Sequence, residues 1–285
     1  MMNGYNDTET ITVRVIHLAE DKYASKTDID KINYIISFGL DKIEQLLASI
    51  KESDAFSKLE LKSFISDRFP TRDAASIQVE IQRTADTKMT ASANGFYITM
   101  TIPDATLAAI PSEAGSARLD RNQTNAFELV LNHFIHEFCH VFGAYHAKDG
   151  IMSGVIQLFE DDENGVDING LELAPFLDDH TVRIVSETLK ATTFAQSNAY
   201  YEYFESERRV SFTANNEIKS IFILNNNAYT DHFYYVSDDN FSCHVPDDSG
   251  WDAILVQFAY GTLMYFKQRA IFNNGHGEAD RIRVF

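Results

Sequence analysis

Two hydrophobic patterns follow one another along the first part of the chain. An apolar stripe at helical spacing covers residues 32–50, and Thr27 and Asp30 before it resemble a capping pair. Three short segments instead alternate apolar and polar positions and are rich in β-branched residues, which predicts strands: residues 11–17, 77–82 and 96–102. The order strand, helix, strands predicts an α/β half-domain.

A second helical pattern follows at about residue 125. Asn125 and Glu128 resemble another capping pair and predict the start of the helix. Its apolar face is formed by Phe127, Val130, Leu131, Phe134, Phe138 and Val141. Residues 176–189 predict a further helix that begins near Asp178 or Asp179.

The pattern changes at about residue 200. Aromatic and β-branched runs alternate there with turns rich in Asn, Asp and Gly, in residues 210–213, 218–224, 232–236, 253–258 and 262–266. This spacing predicts an all-β, sandwich-like C-terminal module. The small and polar residues 191–198 are typical of a linker. We therefore expect one domain in residues 1–195 and an accessory module in residues 196–285.

The candidate chemistry lies in the second helix. His136 and His140 are four residues apart, so they project from one face of a helix and can bind one metal ion. Glu137 lies beside them, where its carboxylate can reach a water on the metal. Gly143 can end the helix in a left-handed conformation and turn the chain, which brings His146 back as a third ligand.

Three neutral imidazoles leave a fourth zinc position open for water, as in catalytic rather than structural zinc sites. The ligand set therefore predicts one catalytic Zn²⁺, with Glu137 as the general base that takes a proton from the attacking water. A helix that merely carries surface histidines, or a zinc site kept for folding, would not need Glu137.

This segment is similar to the signature of the metzincin metallopeptidases. Residues 136–146 read His-Glu-x-x-His-x-x-Gly-x-x-His, and Met152 follows at the short spacing of the matrixin and adamalysin-like branches. The resemblance implies a zinc-dependent endopeptidase acting on proteins or peptides, with Met152 in a turn beneath the metal. It also implies an α/β (α+β) catalytic domain with a twisted sheet and an active-site helix, over roughly residues 11–189.

The resemblance has further implications for this chain. Gly154 stands where some metzincins have a tyrosine ligand, so no fifth ligand is expected. Residues 96–102 are the expected edge strand for an extended substrate, because they form the last strand before the active-site helix. The family is mostly extracellular, which suggests secretion, although the polar residues 1–10 contain no signal core. A non-catalytic binding or toxin-like protein that keeps the zinc site is the alternative.

The composition of the chain argues against some classes of binding partner. The chain has 24 basic and 42 acidic residues and a net charge of −18, which argues against nucleic acid. No apolar run reaches the roughly 18–20 residues that cross a bilayer. Cys139 and Cys243 are too few for a disulfide framework and predict two unpaired thiols. The sequence does not determine the compartment or the oligomeric state.

Three other features have alternative interpretations. His133 shares a helical face with His136, but a solvent or outer-shell role is favoured, since three histidines already complete the ligand set. Cys139 occupies a variable position and is interpreted as a core residue. The acidic residues 160–172 resemble a Ca²⁺ loop around Gly165, but Glu172 comes one residue late, which favours a solvated loop.

Overall fold

The structure is a computed structural model of the 285-residue chain, and it describes residues 10–18, 25–50, 58–66, 76–111, 118–160, 165–189, 197–246, 250–259 and 262–283. These residues form two compact units. The first unit contains Met1–Val141 and Asp149–Asp178, and the second contains Phe142–Lys148 and Asp179–Phe285. Most of the expected linker, residues 190–196, lies outside the described residues.

The first unit is built on a mixed five-stranded sheet with the order β2-β1-β3-β5-β4. The strands are β1 Thr10–Leu18, β2 Lys58–Ser66, β3 Ser76–Thr84, β4 Thr90–Asn94 and β5 Tyr97–Pro103. Neighbours among β2, β1, β3 and β5 are parallel, whereas β4 is antiparallel to β5. The structure confirms the three strands expected here and adds β2 and β4, which the sequence pattern did not predict.

The prediction that residues 96–102 form the edge strand is wrong. Residues 97–102 fall in β5, which has a strand on each side, and β4 is the edge of the sheet among the described strands. Gly95, with φ 63°, lies in the tight connection that returns the chain from β4 to β5. Strand β4 has only five residues and none of them is buried, so it lacks the apolar alternation by which a strand is recognised from sequence.

Two long helices pack beside this sheet. The helices of the first unit are α1 Lys26–Ser49, α2 Asp104–Ala109 and α3 Arg121–Val141. A short two-stranded ladder joins β6 Arg118–Leu119 to β7 Val166–Asp167. The apolar stripe of α1 is buried, and a Cβ atom on Gly39 would lie 3.0–3.1 Å from side-chain atoms of Phe134 and Leu131, so the glycine lets α1 approach α3 closely.

The caps of both long helices differ from the sequence-based expectation. Ser25, rather than Thr27, caps α1 by accepting a hydrogen bond from the backbone N–H of Asp28. In α3, Asp120 accepts from the N–H of Gln123 at 2.9 Å, and the Gln123 side chain accepts from the N–H of Asp120 at 3.0 Å. This reciprocal pair is a capping box. The helix therefore begins at Arg121, before the predicted Asn125 pair.

The second unit contains one antiparallel sheet of seven strands. Its order is β13-β8-β9-β11-β12-β14, with β10 paired to β9, and it curls as a half-barrel. Its elements are α4 Asp179–Leu189, β8 Ala199–Phe204, β9 Arg209–Asn225, β10 Ala228–His244, β11 Ala253–Phe258, β12 Leu263–Lys267, α5 Gln268–Asn274, β13 His276–Glu278 and β14 Arg281–Arg283.

The predicted two-sheet sandwich is therefore wrong, because all the described strands of this unit belong to one sheet. Alternate residues of β9 pack into two different hydrophobic clusters of the second unit. Ile221 and Ile223 lie in one hydrophobic cluster with Trp251, whereas Phe222 and Leu224 lie in another with Ile184 of α4. Both faces of β9 are therefore buried in apolar clusters, and α4 contributes to one of them through Ile184.

The whole chain is thus mixed α/β, as the sequence predicted in general terms. Helix α4 confirms the helical pattern of residues 176–189, but it lies in the second unit. The sequence-based boundary at residue 195 placed this helix with the first domain. The cause of the difference is the apolar face of α4, whose Ile184 is buried among residues of β9, β11 and β12.

Candidate metal centre

Buried polar side chains of α3 hold the chain that follows the motif. Glu128 does not cap the helix as predicted; its carboxylate accepts the backbone N–H groups of Leu158 and Phe159, each at 2.7 Å. Asn132 donates to the carbonyl of Ile156 at 3.0 Å and accepts the N–H of the same residue at 3.3 Å. Segment 156–159 is therefore fixed to α3 along the two helical turns that precede His136.

His136 and His140 meet on one face of α3. Their Nε2 atoms lie 3.0 Å apart, and both residues are half-buried. The Nδ1 atom of His136 donates to the carbonyl oxygen of Ile151 at 2.8 Å. Because a carbonyl only accepts, this bond places the ring proton on Nδ1 and leaves the Nε2 lone pair for a ligand.

The chain then turns and brings the third histidine to the same place. Helix α3 ends at Val141, and Gly143 has a φ of 89°, in the region that glycine favours. One ligand atom each from His136, His140 and His146 all lie within 4.8 Å of one another. Within the described part of the chain, no other group of three His, Cys, Asp or Glu residues converges in this way.

The donor set fits zinc. Two nitrogens that bind a single tetrahedral zinc ion at about 2.0–2.1 Å lie about 3.3 Å from each other. The 3.0 Å separation of the two Nε2 atoms is close to this value, and a ligand atom of His146 lies within 4.8 Å of a ligand atom of each. Three imidazoles without a fourth protein donor leave one position of a tetrahedral ion open.

Glu137 lies between the two helix histidines in sequence and is 8% exposed. Burial raises the pKa of its carboxyl group to about 7, and a hydrogen bond from the backbone N–H of Ala93 lowers the pKa in part. Ala93 belongs to β4, so the edge strand of the sheet contacts this carboxyl group. Sequence reasoning missed Ala93, because a backbone donor on a polar strand has no sequence signature.

Met152 lies in a tight turn after the motif. Ile151–Ser153 form a single 3₁₀ turn in which Met152 is fully buried. Gly150 precedes the turn with a φ of 74°, and a Cβ atom there would collide with the carbonyl oxygen of Phe176. The glycine is therefore required both by its conformation and by the close backbone contact, and it fixes the carbonyl of Ile151 that orients His136.

The other sequence candidates lie outside the histidine cluster. The Nδ1 atom of His133 donates to the carbonyl of Leu129 at 2.8 Å within its own helix, and burial lowers the pKa of its ring. Cys139 is buried, as predicted for a core residue, and burial, with the nearby Asp178 charge, raises the pKa of its thiol well above its usual range. Both described cysteines are unpaired, which confirms the prediction.

The acidic segment contributes to a separate cavity. Residues 161–164 of the expected Ca²⁺ loop lie outside the described residues. Asp167 accepts a hydrogen bond from the N–H of Asn169 and so caps a 3₁₀ turn. A cavity of about 550 Å³ is lined by Glu160, Asp167, Glu172 and apolar neighbours, but by none of the three histidines. Among the residues of this segment that the structure describes, no three carboxylates converge as oxygen ligands of Ca²⁺ would.

No protein-family model matches the chain, and a search of curated proteins found no match either. No helix among the described residues combines the length and the apolar character needed to cross a membrane. The geometry of the site therefore carries the functional argument.

Proposed function

We propose that this chain is a zinc-dependent endopeptidase of the metzincin type. His136, His140 and His146 would hold the zinc ion, and Glu137 would act as general base. The observation that carries this proposal is the convergence of three imidazoles beside a buried carboxyl group. A zinc site that served only to stabilise the fold would have no use for this carboxyl group or for an open coordination position.

Zinc, when bound, supplies a Lewis acid that polarises the scissile carbonyl and makes water more acidic. Glu137 would take the proton from the attacking water and then deliver it to the nitrogen of the leaving amine. Burial raises the pKa of this carboxyl group above its usual range, which favours uptake of a proton from water. The bond from Ala93 would hold the carboxyl group in place.

The edge strand β4 supports a protein or peptide substrate. Within the described residues it pairs on one side only, with β5, and its Ala93 contacts Glu137. An extended peptide can add to such an edge through backbone hydrogen bonds, which fit any sequence. A peptide bound along β4 would thus pass next to the general base, and backbone recognition favours an endopeptidase of unstructured segments.

The test combines zinc binding with cleavage of a peptide library. The purified chain should bind about one zinc ion and cleave a proteome-derived peptide library, and a chelator should abolish cleavage until zinc is restored. His140→Ala should lose zinc. Glu137→Gln should keep zinc and lose at least about 10²–10⁴-fold in rate, because the general base is removed. His133→Gln, on the same helix face, is the matched control and should retain both properties.

Two results would contradict the proposal. Full zinc occupancy in His140→Ala would show that the metal binds elsewhere. Equal cleavage rates in Glu137→Gln and the wild type would show that Glu137 is not the general base. A chain that binds zinc at the histidines but cleaves no peptide would favour the alternative of a non-catalytic zinc-binding protein.

A further inference from the structure

The backbone of His146 is held by a hairpin that is distant in sequence. The N–H of His146 donates to the carbonyl of Asn227 at 3.2 Å, and the N–H of Tyr229 donates to the carbonyl of His146 at 2.9 Å. Together they form an isolated parallel β-bridge between His146 and Ala228. Asn226 and Asn227 connect β9 to β10, which begins at Ala228. Both backbone groups of the third histidine are therefore paired with this hairpin, defined as residues 225–229.

The hairpin has a fixed conformation of its own. Asn226 and Asn227 have φ values of 49° and 61°, as two-residue turns between antiparallel strands require. The N–H of Asn226 donates to the carboxylate of Asp252 at 2.9 Å, and the N–H of Asp252 donates to the carbonyl of Leu224 at 2.8 Å. The carbonyl that holds His146 therefore belongs to a rigid turn.

Tyr229 adds a side-chain contact to the same segment. Its ring is buried in the cluster of Ile184, Phe222 and Leu224, and its hydroxyl accepts the N–H of Tyr145 at 2.9 Å. Lys148, two residues after His146, pairs with the carboxylate of Asp231 on β10. The hairpin and the start of β10 thus contact residues 145, 146 and 148.

The side chain of His146 is exposed, so burial does not fix it, and Gly143 before it permits many backbone conformations. We propose that hairpin 225–229 is the positioning element for His146 and sets the zinc affinity of the three-histidine site. The inference rests on the zinc site of the proposed function. Without the hairpin, residues 142–148 would lose conformational freedom on metal binding, which would weaken affinity.

Two substitutions perturb the hairpin while keeping the sheet. Tyr229→Phe keeps the buried ring and removes the acceptor of the Tyr145 N–H. Its matched control is Tyr234→Phe, also on β10, whose hydroxyl donates to the carbonyl of His244. Asn227→Val places a β-branched residue at a positive φ, which strains the turn. Asn227→Gly accepts this φ and should rescue the affinity lost in Asn227→Val.

Two measurements on the 285-residue chain report the effect of these substitutions. Hydrogen exchange of the metal-free protein should show slow exchange of the His146 and Tyr229 amides in the wild type and faster exchange in Tyr229→Phe and Asn227→Val. Zinc competition with a chromogenic chelator should show affinity about 10–100-fold weaker in both variants, the usual effect of removing a group that orients a ligand. The visible spectrum of the Co²⁺-substituted protein should also change.

The outcomes separate this inference from the proposed function. If the wild type binds zinc and both variants bind it as tightly, the positioning role is wrong and the peptidase proposal stands. If the His146 amide exchanges as fast as an unpaired amide in the wild type, the positioning role is also wrong. If the wild type binds neither Zn²⁺ nor Co²⁺, the proposed function fails first, and this inference falls with it.

Discussion

The two ring nitrogens of His136 have different partners, and this decides which one can bind a metal. Nδ1 bonds to the carbonyl of Ile151, and Nε2 faces His140. The two cysteine thiols, in contrast, are not available to bind a metal. Cys139 and Cys243 are both 1% exposed, and burial raises the pKa of Cys243 to about 12. A thiol must lose its proton to bind a metal, so neither cysteine competes with the histidines at neutral pH.

The buried ring of His17 should make the free energy of unfolding depend on pH. It is 2% exposed on β1 and bonded to Asn33, and burial lowers the pKa of its ring below 6.5, although the Asn33 bond raises it in part. The unfolded chain therefore binds a proton more readily than the folded one. The stabilising contribution of neutral His17 is complete above pH of about 6.5 and falls as the pH drops below that value.

The measurement is urea unfolding of the metal-free chain at pH 7.5 and pH 5.5. The free energy of unfolding should fall more in the wild type than in His17→Gln, whose side chain does not titrate. His276→Gln, at an exposed position on β13, is the control and should behave like the wild type. An equal fall in His17→Gln and the wild type would show that His17 does not cause the pH dependence.

At the scale of elements, periodicity predicts structure where one face of a segment is buried. Helix α1 and strands β1, β3 and β5 were predictable because their apolar positions recur at helical or alternating spacing. Strand β4 was not, because none of its five residues is buried. The cap at Asp120 was missed in favour of Asn125, since local sequence offers several pairs and tertiary contacts, here those of Glu128, decide between them.

The packing of α4 on the sheet of the second unit gives a stability prediction. Ile184 is fully buried against Phe222 and Leu255, whereas Val182 on the same helix is half-buried. Ile184→Ala should reduce the free energy of unfolding by about 2–5 kcal/mol, because it leaves a cavity in the core. Val182→Ala is the control and should cost clearly less. Urea unfolding monitored by circular dichroism would measure both, and equal effects would contradict the packing described.

For the whole molecule, the candidate site divides into a part that the sequence reveals and a part that it does not. His136, Glu137, His140, Gly143 and His146 stand within eleven residues, so helical spacing and the glycine turn make them recognisable from the sequence as one group. From the sequence, the three asparagines 225–227 are typical of a turn and indicate no contact with the site. Their pairing with His146 joins positions about 80 residues apart through backbone atoms, and no side-chain pattern encodes such a contact.

A truncation after Asn198 tests the predicted boundary between residues 1–195 and 196–285. The fragment would keep His136, His140 and His146 but would lose hairpin 225–229 and the sheet that buries Ile184. We expect the fragment to aggregate or to bind zinc much more weakly than the full-length chain purified in the same way, because α4 would expose its apolar face and the His146 backbone would lose its partners. Size-exclusion chromatography and zinc competition measure both effects. A soluble fragment that binds zinc as tightly as the 285-residue chain would instead support an independent domain in residues 1–195. It would also show that hairpin 225–229 does not contribute to the zinc site.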